Sequence, residues 1–199
     1  PESWLSESIL QKRIICHWTV TSYRPDDISL DSYHIVIDGD GVPHRGSGDL
    51  DDRMPHCYGF NSAIGISLAC MGGYQSASNP GPYPVTEQQW ESLIKIVRQL
   101  CDRYGIEITP TTVLMHGEVS KNLLVDQWGK FDIGRVDYLH IMGTENCGDE
   151  LRRRVKGTND DTLRVPVSVR VAGYNKVVNG LLMDASTLVP IREFAKATK

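Results

Sequence analysis

The residues of this 199-residue chain that could carry chemistry are few and widely spaced. Six histidines occur, at 17, 34, 44, 56, 116 and 140, and none forms an H-E-x-x-H pair. G-x-S-x-G and G-x-x-x-x-G-K-[ST] are also absent. Zincin proteases, serine α/β-hydrolases and P-loop enzymes are thereby excluded. His116-Gly117-Glu118 matches half of a zinc-deaminase signature, but the P-C-x-x-C half that would supply two thiolates is missing. What remains is His17 and His116, each at the end of an apolar run, and Asp132 within Gly129–Gly134. Two imidazoles and one carboxylate are the open ligand set of a catalytic zinc, with the fourth position left to water or substrate. Spacing alone leaves a second reading, in which each is an ordinary core or surface residue.

The elements that must position these groups follow from periodicity. Arg13–Val20 is β-branched and apolar without alternation, the pattern of a strand covered on both faces. Tyr33–Ile37 reads as a second strand, and Asp38-Gly39-Asp40-Gly41 as the turn that returns the chain along Val42–His44. Ile64–Cys70 is a third strand, followed by a Ser/Asn/Gly/Pro-rich loop from Gln75 to Pro84. Thr86-x-x-Gln89 is a capping box, Val85 and Trp90 stand at staple positions, and Gly105 closes the helix. Trp90, Leu93, Ile94, Val97, Leu100, Cys101 and Tyr104 recur at helical spacing and give it one buried stripe. Thr112–Met115 is a further strand that delivers His116, and Gly117–Gly134 is irregular. The mixture implies an α/β (α+β) fold, a sheet with helical layers against it.

Composition bounds the partners. Hydrophobic residues make up 40% and charged residues 23% of the chain, the balance of an ordinary globular protein. A net charge of −4 and a pI near 5.9 supply no basic field for nucleic acid. No apolar run approaches the roughly 18 residues of a membrane span, so no membrane insertion is expected. The five cysteines include no C-x-x-C pair, and Cys16, Cys70 and Cys101 lie in apolar segments as small core hydrophobes. Residues 1–145 are read as one domain, 146–162 as a linker around Arg152-Arg153-Arg154, and 163–199 as a small β-rich appendage or truncated second domain.

Five blocks carry a resemblance: Ile14-Ile15-Cys16-His17; Ser32 to Gly41; His56-Cys57-Tyr58-Gly59-Phe60-Asn61 with Ile64-Gly65-Ile66; Met115-His116-Gly117-Glu118-Val119; and Lys130-Phe131-Asp132-Ile133-Gly134. In that order, over about residues 12–142, the chain resembles the zinc N-acetylmuramoyl-L-alanine amidases, including phage endolysins and peptidoglycan recognition proteins. The resemblance implies a central mixed sheet flanked by helices and a groove for a muropeptide with zinc at its floor. His17, His116 and Asp132 fall on the ligand positions. Zinc held this way lowers the pKa of its water to about 7 and polarises the scissile carbonyl. Lys130 resembles the family lysine facing the developing oxyanion, and Tyr33 the tyrosine that hydrogen-bonds the water or the tetrahedral intermediate. His56 resembles a histidine near the substrate groove. Trp18, beside the first ligand, shields the site or packs in the core, and His34 is expected to pack on the opposite face of its strand. Asp132-Ile133-Gly134 departs from the common Asp-Pro-Gly, and Asn122–Trp128 is more apolar than a loop over a groove, so it lines the cleft or contacts another chain.

The implied activity is hydrolysis of the bond between N-acetylmuramic acid and L-alanine in peptidoglycan, at the bacterial wall (periplasm or extracellular). Asp132 favours this over a muropeptide-binding or regulatory protein, because non-catalytic recognition proteins of the family lack the third ligand. Pro1 follows no charged and apolar leader in this sequence, which with the odd cysteine count leans toward a phage lysin made in the host cytoplasm. Thr187–Glu193 resembles a motif of small domains, related to the amine-oxidase N-terminal region, that accompany wall hydrolases, which implies a wall-anchoring appendage.

Overall fold

β1, Ile14–Trp18, is buried along its whole length, as its unbroken apolar run requires. This is seen in a computed structural model that describes residues 13–157 and the backbone of 163–171, 174–183 and 186–188. β2 (Ile35–Ile37), β3 (Pro43–Arg45), β4 (Ile64–Leu68) and β5 (Val113–Met115) complete a sheet in the order β3-β2-β4-β1-β5. β2, β4, β1 and β5 run parallel, and only the β2–β3 hairpin is antiparallel. The expected central mixed sheet is therefore present, with β1 near its middle.

The sheet is covered on both faces because β1 is apolar on both. Ile14, Cys16 and Trp18 join the cluster built by α2, Glu87–Tyr104, which follows the short α1, Asp27–Ser32. Trp90, Leu93 and Val97 of α2 are completely buried there, each contributing about 1.5–3 kcal/mol by burial. Thr86 caps the helix through Gln89 in the expected capping box, and Gly105 ends it in the left-handed region. The Gln89 side chain also donates to the carbonyls of Ile37 and Ala69, tying the helix to the strand ends. Ile15 points the other way, into a smaller cluster with Cys57, Ala63, Leu114 and Val119. Cysteines 16, 57, 70, 101 and 147 are all free and buried, as expected for Cys16, Cys70 and Cys101.

The stretch around the arginine run differs from the linker expectation. After the short strands β6 (Arg135–Val136) and β7 (Ile141–Met142), residues Thr144–Val155 form an α-helix. Numbering the one-turn helix Val119–Asn122 as α3 makes this α4. Cys147, Leu151 and Val155 of α4 join the α2 cluster. Arg152 is buried against Glu118, so this arginine is a structural ion pair and not a solvated connection. Gly148 and three consecutive arginines hid the helix from a composition-based reading.

The chain divides into two compact units, Pro1–Lys156 and Gly157–Lys199. In the second, β8 (Leu163–Val171) pairs antiparallel with β9 (Tyr174–Met183), and β10 (Ser186–Leu188) pairs antiparallel with the other edge of β9. This is the β-rich appendage. Most of the Thr187–Glu193 motif lies outside the described residues. Among the described residues no helix is long and apolar enough to cross a membrane.

Candidate metal centre

Register brings the two histidines together. β1 and β5 are parallel with Cys16 opposite Met115, so the next residue on each strand, His17 and His116, emerges at the carboxyl edge of the sheet. Crevices of parallel sheets open at that edge. The imidazole centroids are 4.5 Å apart. Asp132 arrives from the irregular segment, held by the Gly117 N–H donating to its carbonyl at 2.6 Å. A Cβ at Gly117 would stand 2.9 Å from the Phe131 backbone, so glycine is what lets the two segments approach.

Three electron-pair donors converge in this space. His17 Nδ1 lies 3.1 Å from His116 Nδ1 and 3.2 Å from Asp132 Oδ2, and His116 Nδ1 lies 3.2 Å from Asp132 Oδ1. All three residues are buried. The outer ring nitrogens show where the protons are. His56 Nε2 lies 2.9 Å from the Ala63 carbonyl, which can only accept, so His56 carries its proton there and presents Nδ1 as an acceptor. The contact of 3.0 Å between His56 Nδ1 and His17 Nε2 is then a bond donated by His17. His116 Nε2 donates likewise to Gln127 Oε1 at 3.1 Å, because the Gln127 amide nitrogen faces the carbonyls of Tyr58 and Val125. With both rings neutral, His17 and His116 would turn lone pairs on Nδ1 toward each other and toward a carboxylate. A proton on one Nδ1 or a metal ion relieves that arrangement, and two imidazoles with one carboxylate are a ligand set that suits zinc.

Without a metal, a proton plays that part. Burial drives the His17 imidazole down to about 4 against the pull of Asp132. Burial also opposes charge on His116, but hydrogen bonds involving Asp132 and Cys57 outweigh it and raise this histidine to about 9. Burial would raise the Asp132 carboxyl, yet His116 and His17 beside it hold it well below the usual carboxylate range. Without a metal, the centre thus retains one positive charge, as a proton on His116.

The other expected residues surround a cavity of about 320 Å³ whose lining includes Trp18, Tyr33, His56, Lys130, Phe131 and Asp132. Tyr33 is partly buried, with its ring 5.0 Å from that of His17. Burial, reinforced by the Asp132 charge, pushes its phenol up to about 12, so it is a proton-bearing donor. Lys130 is exposed at the rim. Trp18 is nearly buried and meets Phe131 edge-on at 5.5 Å, both packing in the core and walling the cavity. His56, expected to contact substrate, has both ring nitrogens engaged by His17 and Ala63. His34 is buried away from the centre, accepting from the Gly65 N–H and donating to the Asp52 carbonyl. His44, without a role in the sequence, pairs with Asp38.

Two participants escaped sequence reading. Gln127 is a buried amide in the 122–128 segment, and beside Asp126 nothing in the local sequence marks it out. Glu118 accepts from the Met115 N–H and from both terminal nitrogens of Arg152, while Arg152 also donates to the Val113 carbonyl. The arginine of α4 thereby clamps the turn that carries His116. Trp128 and Tyr58 stand 69% and 63% exposed with ring centroids 4.8 Å apart, so the apolar loop presents an aromatic pair beside Gln127.

The family of N-acetylmuramoyl-L-alanine amidases matches residues 8–129, which stops just short of Lys130 and Asp132. A comparison with curated proteins found no match. Among solved structures, the chain is similar to the endolysin amidase LysCS from Clostridium intestinale URNW, at 23% identity over 60% of this chain and 87% of that one, TM-score 0.41. It is similar to the Drosophila peptidoglycan recognition protein SA at 15% identity over 53% and 67% of the two chains, TM-score 0.40. A complex of the N-acetylmuramyl-L-alanine amidase AmiD from E. coli with an anhydro-muropeptide aligns at 20% identity over 54% of this chain and 48% of that one, TM-score 0.40. The family match takes in His17, Tyr33, His56 and His116 and spans more than half of the sequence; on those residues, this chain belongs to the N-acetylmuramoyl-L-alanine amidase family.

Proposed function

We propose that this protein hydrolyses the amide bond between the lactyl group of N-acetylmuramic acid and L-alanine in peptidoglycan, acting at the bacterial cell wall with zinc held by His17, His116 and Asp132. The observation that carries the reading is the convergence of two Nδ1 atoms and a carboxylate within 3.1–3.3 Å of one another, with His116 and Asp132 lining a cavity. When bound, the ion supplies Lewis acidity toward water and the scissile carbonyl. The chain's own groups do the rest. Tyr33 keeps its proton and donates toward the carbonyl oxygen as negative charge grows there. Lys130 brings a positive charge to the same cavity from the rim. Trp18 and Phe131 wall the site and reduce access of bulk water, which strengthens both interactions. Water adds across the C–N bond, giving a lactyl carboxylate and a free L-alanine amine.

Digestion of purified peptidoglycan with and without a chelator, alongside Asp132→Ala, tests this by mass spectrometry of the released ends. Free L-alanine amino termini with intact muramic acid, lost on chelation and in the variant, are expected. A protein that binds zinc and the wall yet releases no new ends would be a muropeptide-binding member of the family.

A further inference from the structure

Both histidines of the metal centre use their outer ring nitrogen on a buried partner that is not itself a ligand. We infer that His56 and Gln127 are positioning residues: each accepts a hydrogen bond from one ligand histidine, fixes its ring orientation, and thereby sets the affinity of the centre for zinc. The inference rests on the proposed metal reading and adds two residues outside the ligand set.

For His17, the relay runs from Nε2 to His56 Nδ1, and from His56 Nε2 to the Ala63 carbonyl. The His56 ring lies flat against β4, where a Cβ on Gly65 would come within 2.8 Å of its carbons. The glycine therefore makes room for the relay, and the backbone carbonyl at its end sets its direction. For His116, the relay is a single amide. Gln127 accepts through Oε1 and donates through Nε2 to the carbonyls of Tyr58 and Val125, while its own N–H is held by Ser120 Oγ at 2.9 Å. A carboxylate at this position would set charge against two carbonyl oxygens, so the site calls for an amide. Without either acceptor, the corresponding imidazole can move its proton to Nδ1 or turn about Cβ–Cγ, and either change removes a lone pair from the centre. Partners of this kind typically change metal affinity by about 10–100-fold.

The test uses the full chain and zinc alone. Zinc affinity is measured by competition with a chromogenic chelator for the wild type, His56→Phe, His56→Asn, Gln127→Leu and His140→Asn. Long-range proton–nitrogen NMR on histidine-labelled protein reports which ring nitrogen carries hydrogen. His17 and His116 are expected as Nε2–H tautomers in the zinc-loaded wild type. His56→Phe and Gln127→Leu are expected to bind zinc about 10–100-fold more weakly, with circular dichroism establishing that they fold. His56→Asn, which restores an acceptor near the Nδ1 position, should recover most of the affinity, and exposed His140→Asn should match the wild type. Folded His56→Phe and Gln127→Leu that bind zinc as tightly as the wild type would overturn the inference, as would Nδ1–H on either ligand in the loaded protein. Loss of zinc affinity in these variants, from a wild type that cuts no peptidoglycan, would uphold the inference while removing the hydrolase reading.

Discussion

The protonation pattern of the centre predicts how zinc and pH act together on stability. His116 is raised to about 9 from 6.5, so its contribution to the metal-free fold is fully present below pH 6.5 and lost as pH rises through about 9. His17 and His56 are lowered to about 4 and about 3, so their contributions are present above 6.5 and lost as pH falls through those values. Zinc needs His116 without its Nδ1 proton and must displace it anywhere below pH 9. The rise in melting temperature produced by zinc is therefore expected to grow steadily from pH 6 to pH 9, measured by scanning calorimetry against a chelated control. A zinc effect that shrinks over this range would place the proton elsewhere. Tyr33 leads to a second expectation. Tyr33→Phe removes one donor and no zinc ligand, so kcat on a defined muropeptide should fall about 100-fold, the usual cost of a lost oxyanion donor, with zinc affinity unchanged.

Among the elements, α4 has the largest unexpected role. Its Arg152 satisfies the buried carboxylate of Glu118, which in turn accepts the N–H of Met115, the residue before His116. Arg152→Met would strand that carboxylate in the interior, and about 3–5 kcal/mol of stability should be lost, the range for breaking a buried pair from one side. Urea unfolding with zinc present and absent measures it. Because the clamp holds the His116 turn, zinc affinity should also fall in the variant even where it remains folded. A variant with wild-type stability would show that Glu118 is solvated or protonated once Arg152 is gone.

For the chain as a whole, the core of the first unit is built from residues between Ile14 and Val155. A chain ended after Lys156 is therefore expected to melt cooperatively and to bind zinc as the full chain does, by calorimetry and chelator competition. If residues 163–199 anchor the protein to the wall, the shortened chain will sediment less with sacculi while still cutting soluble muropeptides. Equal sedimentation would remove the anchoring role. The net charge of −4 offers no general attraction to anionic wall polymers, so any retention at the wall would have to come from specific contacts.

Order and type of the main elements were legible because they follow from local physics. The unbroken apolar run of β1, the capping box at Thr86 and the helical stripe from Trp90 to Tyr104 each carry their own period and punctuation. The proposed zinc ligand set was singled out by resemblance, since His17, His116 and Asp132 are too far apart in sequence for spacing to join them. α4 was missed because Gly148 and an arginine run resemble a linker until Glu118 is seen waiting for Arg152 across the fold. The roles of His56 and Gln127 were out of reach for the same reason. A hydrogen bond is directional and reaches about 3 Å, so which imidazole nitrogen holds a proton depends on atoms placed by parallel register and loop packing. The sequence thus specifies the elements and the inventory of reactive groups, while the tertiary contacts set which ring nitrogens of His17 and His116 face Asp132.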